Sequence, residues 1–280
     1  MTAELRQRLI GAGIAIAVLL FVLLALPDQA TFALALLAAL QAWREYSRMM
    51  GLEKRQLLHQ FGFLWLTLAM SISYFGPGSL GLSWFWMWLG FFGAFFLLGI
   101  ESLVFKQIID VTAAWRDLCR FVMGTSYLFL LFGFIGPITG LINGLQILIS
   151  GIASIAIADT TAYFVGKKYG KQKFWPEISP GKTWEGVYGS LGGAYLGSII
   201  IWLIFFAVSH NTQLLSFGGT LLIGFVVGPL SIMGDLLESL MKRASGTKDS
   251  GSLITGHGGI LDRADGMALV IPVLYLLFSI

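Results

Sequence analysis

The sequence is short of cysteine and of charge. Its single cysteine, Cys119, excludes an internal disulfide, so nothing in the fold depends on an oxidising compartment. Only 12% of the 280 residues are charged, whereas soluble domains carry about 25%. Hydrophobic residues make up 56% of the chain, and the mean hydropathy is +0.80. These values exclude an ordinary soluble protein and indicate an integral membrane protein.

Nine hydrophobic segments meet or approach the length of about 20 residues that a helix needs to cross a bilayer. They predict an all-α fold, a polytopic helical bundle with about nine transmembrane helices. The predicted spans are 9–26, 29–43, 61–76, 80–100, 119–137, 141–165, 184–208, 217–235 and 264–280.

The basic residues predict the orientation of this bundle. All 18 lysines and arginines fall in, or within one turn of, the segments 1–8, 44–60, 101–118, 166–183 and 236–263. Because lysine and arginine favour cytoplasmic loops, the N-terminus and these segments are expected in the cytoplasm. The basic residues follow topology rather than one binding face, so the net charge of +3 does not indicate a nucleic-acid partner.

The two halves of the chain differ in where they carry polar residues. Residues 1–140, with about five spans, keep their charges in loops and are expected to act as scaffold or dimer contact. Their basic and aromatic stretch 43–61 predicts an interfacial helix or a solvated loop. Residues 141–280 place polar groups at helix ends and in a long loop, 236–265, which is predicted to be the catalytic region on the cytoplasmic side.

Two acids lie within or at the end of predicted helices. A carboxylate deep in a membrane costs roughly 2.5 kcal/mol or more, so Asp159 and Asp235 are functional candidates. Pro229 removes one backbone donor and loosens the helix before Asp235. The alternatives are that Thr160 and Thr161 only pack helices and that Asp235 marks the water boundary.

The stretch SPGKT precedes the seventh span. It resembles the end of a phosphate-binding P-loop, but that motif needs a glycine at position 176, which is proline, and a preceding strand, which the sequence does not predict. A lysine and a hydroxyl at a helix N-terminus still favour phosphate. Lys182 and Thr183 are therefore candidate substrate ligands, with Ser179 as a further candidate. The alternative is a helix cap with a snorkelling lysine.

The long loop SLMKRASGTKDSGSLITGHGGILDRAD mixes acids, cations and glycines. Mg²⁺ takes oxygen ligands from one or two carboxylates and from phosphates, and cations neutralise the remaining phosphate charge. Glycines let a backbone approach phosphate oxygens closely. This mixture indicates a metal-nucleotide site, whose candidates here are Lys242, Arg243, Lys248, Asp249, His257, Gly258, Gly259, Asp262, Arg263 and Asp265.

The spacing of Asp262 and Asp265 allows two interpretations. Three residues apart on a helix, they lie on one face and can share a cation. Asp262 as N-cap with Asp265 at the third helical position would instead form a capping box. The two interpretations are compatible. Zinc is disfavoured because no second histidine or cysteine lies nearby.

This loop resembles the C-terminal signature of the phosphatidate cytidylyltransferase family. The signature reads S-x-hydrophobic-K-R-x4-K-D-x-small-x2-hydrophobic-P/G-x-H-G-G-hydrophobic-x-D-R-hydrophobic-D. The matching positions are Ser239, Lys242, Arg243, Lys248, Asp249, Gly251, Ile254, His257, Gly258, Gly259, Ile260, Asp262, Arg263 and Asp265. Two positions depart from it, Thr255 in place of proline or glycine and Ala264 in place of a larger apolar residue. The resemblance covers roughly residues 141–280.

The resemblance implies transfer of the cytidylyl group of CTP to phosphatidic acid, with Mg²⁺ and room for a second cation. Metal ligands would be Asp235, Asp262 and Asp265, and Lys248 and Asp249 would complete the catalytic set. Phosphates would meet Lys182, Lys242, Arg243 and Lys248, and residues 257–259 would close on the nucleotide. Thr183 and Arg263 are further substrate contacts, and Asp159 would lie near the site.

Two other functions are compatible with a polytopic membrane protein. A CTP-dependent lipid kinase acting on a polyprenol or phytol would use the same nucleotide but transfer its γ-phosphoryl group. A transporter would place charges at the midplane of broken helices and would show an inverted repeat. The sequence shows no such repeat, because its polar residues concentrate in one half.

Overall fold

The computed structural model describes residues 21, 23–76, 89–100, 110–208, 215–251 and 258–279. Most of the first predicted span, 9–26, therefore lies outside the described residues. His257 also lies outside them. In chain order, the described elements are α1 (Asp28–Met49), a short 3-10 helix (Leu52–Lys54), α2 (Gln56–Phe75), α3 (Leu89–Ile100), α4 (Val111–Phe132), α5 (Ile135–Thr139), α6 (Gly144–Tyr169), β1 (Lys173–Trp175), β2 (Ser179–Thr183), α7 (Trp184–Val208), α8 (Phe217–Ala244), α9 (Leu261–Ala264) and α10 (Met267–Phe278).

Helices dominate the described residues, which confirms the all-α class. Four stretches among them are long and apolar enough to cross a membrane: Val111–Thr139, Gly144–Tyr169, Trp184–Val208 and Phe217–Ala244. They correspond to the fifth to eighth predicted spans. The protein is therefore an integral membrane protein by length and composition of its helices. The count of nine spans and the orientation stay predictions.

The chain forms two compact units, one of residues 1–136 and 249–263 and the other of residues 137–248 and 264–280. The first is called unit 1 and the second unit 2. The long polar loop is thus shared, with residues 249–263 belonging to unit 1 although they follow α8 in the chain.

The core of unit 1 includes the end of α1. Trp43 is fully buried, and its indole N–H donates to the carbonyl of His59 at 2.9 Å. The hydroxyl of Tyr46 donates to the carbonyl of Arg120 at 2.8 Å, which ties α1 to α4. The chain turns at Gly51, whose φ of +74° favours glycine. The solvated-loop interpretation of residues 43–61 is wrong. α1 continues to Met49, and its aromatic side chains Trp43 and Tyr46 are buried in the core.

Unit 2 is built on close contact between α6 and α7. The hydroxyl of Thr161 donates to the carbonyl of Gly189 at 2.8 Å, so it joins the two helices. A side chain at Gly193 would place its Cβ 1.9 Å from that hydroxyl, so only glycine allows this approach. Thr160 is exposed and bonds within its own helix, to the carbonyl of Ala156. Of the two threonines, only Thr161 has the helix-packing role that the alternative interpretation predicts for both.

The stretch before α7 is a hairpin rather than a loop. β1 and β2 pair antiparallel, with Lys173 opposite Thr183 and Trp175 opposite Ser179. The expectation that no strand lies here is wrong, because two segments of three and five residues are too short to show strand periodicity in sequence. The hairpin delivers Lys182 and Thr183 to the start of α7.

Candidate functional site

A pocket of about 560 Å³ opens in unit 2 among α6, the hairpin, α7 and α8. Its wall mixes charged, hydroxyl and glycine residues. The polar lining consists of Asp159, Tyr163, Lys167, Lys173, Ser179, Lys182, Thr183, Ser190 and Asp235. The pocket therefore gathers five of the sequence candidates: Asp159, Ser179, Lys182, Thr183 and Asp235. Its volume lies within the range of about 300–1,000 Å³ that small-molecule sites occupy.

An ion pair lies in this pocket. Lys182 Nζ is 2.7 Å from Asp235 Oδ2, and the two side chains are only 22% and 35% exposed. Asp235 Oδ1 also accepts from the hydroxyl of Ser239 at 3.2 Å, one helical turn further along α8. Strand β2 brings the lysine to the pair and α8 brings the aspartate, with Pro229 six residues earlier in that helix. The pair can bind a cation at one end and an anion at the other.

Two more carboxylates act on Asp235. Asp159, on α6, lines the same pocket and interacts electrostatically with Asp235 and Lys182. Asp265, in the turn between α9 and α10, interacts with Asp235, Asp159 and Lys242, while its Oδ1 accepts from the amide of Gly266 at 2.7 Å. The three carboxylates supply oxygen donors of the kind that a divalent cation uses.

Thr183 has a structural role at the pocket edge. Its hydroxyl accepts from the amide of Gly186 at 3.2 Å, in the first turn of α7. The helix-cap alternative therefore holds for Thr183, while the lysine beside it pairs with Asp235 rather than snorkelling to an interface.

The other cations of the long loop differ in their surroundings. Lys242 pairs with Glu238, a carboxylate that is fully buried one turn earlier on α8. Arg243 Nε donates to the carbonyl of Ile178 at 3.3 Å and so braces the hairpin. Lys248 is exposed, and so are Asp249 and Arg263 in unit 1. None of these residues lines the described pocket.

Asp262 is engaged within unit 1. Its Oδ2 accepts from the amide of Gly259 at 2.9 Å, from the amide of Ser250 at 3.0 Å and from the Ser250 hydroxyl at 2.8 Å. The capping-box interpretation is wrong, because Asp262 is the second residue of α9, and α10 begins at Met267 after Gly266. The carboxylate ties the loop to itself instead of capping the last helix.

A residue that the sequence interpretation missed, Glu45 of α1, meets the same loop. It is 5% exposed, and its two oxygens accept from the amides of Ile260 and Leu261, each at 3.1 Å. The available sequence signal was weak. Glu45 is the one acid beside a stripe of small and aromatic residues, Ala35, Ala39, Ala42 and Tyr46, that recurs at helical spacing.

The two glycines of the HGG motif make room for these carboxylates. Residues 258–261 are called the glycine loop below. Gly258 has φ of +82°, and a Cβ there would lie 2.6 Å from Asp262 Oδ2. A Cβ on Gly259 would lie 2.2 Å from Glu45 Oε2 and 2.5 Å from the Ser250 hydroxyl. The space beside both glycines is filled by the protein's own acidic side chains.

The predicted metal ligands fall into two groups. Asp235 and Asp265 interact within unit 2, whereas Asp262 is bonded to Ser250 and Gly259 within unit 1. Among the described residues, no three histidine, cysteine, aspartate or glutamate side chains form a metal site by themselves. Mg²⁺ uses one or two carboxylates together with water and substrate phosphates. The oxygen donors of Asp235 and Asp265 fit a cation of that kind.

The chain is similar to one protein family and to several known proteins. Residues 6–280 match the family described as "Cytidylyltransferase family". The relatives named phosphatidate cytidylyltransferase include proteins of three bacteria that differ in how much of the chain they match. The protein of Haemophilus influenzae is 40% identical over 132 residues, 46% of this chain and 44% of its own length. That of Pseudomonas aeruginosa is 44% identical over 134 residues, 48% of this chain and 45% of its own.

The third relative, from Bacillus subtilis, is 33% identical over 220 residues, which cover 73% of this chain and 79% of that protein. The chain thus spans less than half of the first two relatives and most of the third. Because the family match extends over nearly the whole chain, this protein belongs to the cytidylyltransferase family.

Proposed function

We propose that this protein transfers the cytidylyl group of CTP to phosphatidic acid, giving CDP-diacylglycerol and pyrophosphate for phospholipid biosynthesis. The observation that carries the proposal is the Lys182–Asp235 ion pair in a pocket that Asp159 also lines, in a chain of the cytidylyltransferase family. The names of the relatives from H. influenzae and B. subtilis supply the substrate class.

Charge exchange at the ion pair explains how the pocket would accept a metal nucleotide. Without substrate, Lys182 and Asp235 neutralise each other at 2.7 Å. A nucleotide with its cation offers each a new partner, a phosphate for the ammonium and a cation for the carboxylate. Charge-assisted contacts of this kind are stronger than neutral hydrogen bonds. Binding therefore replaces one internal pair with two pairs to the substrate.

The reaction needs positioning more than acid-base chemistry. A phosphate oxygen of phosphatidic acid attacks the α-phosphorus of CTP, a new P–O bond forms, and the bond to pyrophosphate breaks. The attacking oxygen is already ionised, so no strong general base is required. Such transfers depend on alignment and on neutralising the charge that develops on phosphate oxygens.

The chain's own residues divide these tasks. Asp235 and Asp265 would hold Mg²⁺, with Asp262 the third acid of the predicted set and room for a second cation. When bound, Mg²⁺ supplies positive charge that stabilises the leaving pyrophosphate. Lys182, Lys242, Arg243 and Lys248 would neutralise phosphate oxygens, and Asp249 completes the acidic set of the signature. His257, Gly258 and Gly259 would close on the nucleotide, while Ser179, Thr183 and Arg263 contribute further contacts.

The proposed orientation places this site on the cytoplasmic side of the inner membrane, with the N-terminus in the cytoplasm and about nine spans. The distribution of lysine and arginine supports this orientation. CTP would enter from the cytoplasm and phosphatidic acid from the bilayer. Residues 1–140 would act as scaffold or as the contact of a homodimer.

A CTP-dependent lipid kinase is the alternative to be excluded by experiment. Purified protein incubated with phosphatidic acid and CTP labelled at the α-phosphorus should transfer the label to the lipid. A kinase transfers the γ-phosphoryl group, so the label would stay in CDP and the proposal would be wrong. A transporter would leave CTP unchanged.

A further inference from the structure

We propose that Glu45 is a positioning residue that holds the glycine loop in the conformation that meets the nucleotide. The inference rests on the proposed function, in which the glycine loop closes on the nucleotide, and it assigns a task to a helix of the N-terminal half. Glu45 lies more than 200 residues from the loop in sequence, but both belong to unit 1.

The contacts of Glu45 are directed at the loop backbone. Oε1 accepts from the amide of Ile260 and Oε2 from the amide of Leu261, each at 3.1 Å. These amides belong to the residue before α9 and to its first residue, and amides at a helix start have no partner within the helix. A carboxylate satisfies them with charge-assisted bonds, which are stronger than bonds to a neutral acceptor. Glu45 thereby fixes where the loop ends and α9 begins.

The loop is shaped to receive this carboxylate. A Cβ on Gly259 would meet Glu45 Oε2 at 2.2 Å, and a Cβ on Gly251 would meet Glu45 Cδ at 2.9 Å. Glycine at both positions lets the backbone close around the acid. A loop shaped around a nucleotide alone would not need this clearance on the side of α1.

Ser250 links Glu45 to Asp262. Its hydroxyl lies 2.8 Å from Asp262 Oδ2 and 3.5 Å from Glu45 Oε2, and the residue is 6% exposed. Asp262 also accepts from the amide of Gly259, so the glycine loop is held by one carboxylate on each side. Displacing the loop would leave buried charge without its donors, which is costly. The loop is thus held in one conformation before substrate arrives.

The test replaces Glu45→Gln, which keeps the size of the side chain and removes its charge. One end of the amide then presents N–H donors to a backbone N–H. We expect amide exchange of the peptide containing Ile260 and Leu261 to rise at least about tenfold without substrate, because local opening becomes easier. The KM for CTP should rise at least about fivefold, while the KM for phosphatidic acid changes less than twofold.

Glu53→Gln is the matched control. It makes the same chemical change just beyond α1, at a side chain that is 48% exposed and pairs with Arg48 at the surface. Exchange and both KM values should match those of the wild type. If Glu45→Gln does not purify as a folded species, Ser250→Ala removes one donor without a charge and should raise exchange in the same peptide.

Wild-type exchange at Ile260 and Leu261 in Glu45→Gln overturns the proposal, and so does a loss of kcat with both KM values unchanged, since that outcome indicates a general folding role. Failure of the proposed function is distinguishable from this. Wild-type protein would then convert no CTP, while the exchange measurement would still decide whether Glu45 holds the loop.

Discussion

Lys182 Nζ lies 2.7 Å from Asp235 Oδ2, so a strand residue and a helix residue neutralise each other inside the pocket of unit 2. The proposed function requires substrate to replace this pair, so it is the first place to test the mechanism.

Replacing Lys182→Ala should lower kcat/KM for CTP at least about 100-fold, the scale seen when one stabilising donor is removed from an active site. The change removes a phosphate partner and leaves Asp235 facing Asp159 and Asp265. Lys182→Arg should retain part of the activity because it keeps the charge. Lys168→Ala is the control, since Lys168 is exposed over the Tyr169 ring and does not line the pocket. Equal rates in the two alanine variants would contradict the assignment.

Replacing Asp265→Asn should abolish turnover while leaving folded protein in detergent. The asparagine oxygen can still accept from the amide of Gly266, but the negative charge that favours a cation is lost. Asp110→Asn is the matched control, because Asp110 caps α4 at an exposed position and asparagine caps as well. Turnover would be followed at increasing Mg²⁺ concentration. Wild-type rates in Asp265→Asn would count against a metal role.

Replacing Gly258→Ala should reduce CTP turnover at least about tenfold. The new methyl group meets Asp262 Oδ2 at 2.6 Å and the backbone has φ of +82°. Gly246→Ala separates these two causes, because Gly246 has φ of +71° but open space around its Cβ position. Turnover in Gly246→Ala should stay within about twofold of wild type. If both variants lose activity equally, backbone strain rather than the Asp262 contact is responsible.

Replacing Thr161→Val should lower the stability of the folded protein by about 0.5–1.5 kcal/mol, because the bond to the carbonyl of Gly189 is lost between α6 and α7. Thr160→Val makes the same change one residue away, where the hydroxyl bonds only within α6. Thermal unfolding in detergent measures both. Indistinguishable midpoints would show that the bond between the helices contributes no stability.

The unit 2 candidates could be predicted from sequence because each breaks a local rule. Asp159 and Asp235 are acids in or at the end of apolar helices, and Lys182 precedes a helix start. The structure brings these three together with Asp265, although their roles stay proposals. A charged residue in an apolar helix is costly to insert into a membrane, so each one can be recognised in the sequence without knowledge of the topology.

Glu45 could not be predicted in this way. Its hydrogen bonds to Ile260 and Leu261 join residues more than 200 positions apart. No local sequence pattern shows which distant loop will pack against a helix. The capping role predicted for Asp262 is also wrong, because α9 ends at Ala264 and α10 begins only at Met267. Long-range pairing and the exact ends of short helices are tertiary properties.

The most direct test of the central claim is the reaction of purified protein with CTP, phosphatidic acid and Mg²⁺, with the products identified by mass. The account predicts CDP-diacylglycerol and pyrophosphate in equal amounts, both lost in Lys182→Ala and when a chelator removes Mg²⁺. Two results would contradict it. One is a lipid that gains only a phosphoryl group, with CDP as the second product. The other is CTP left intact by folded wild-type protein.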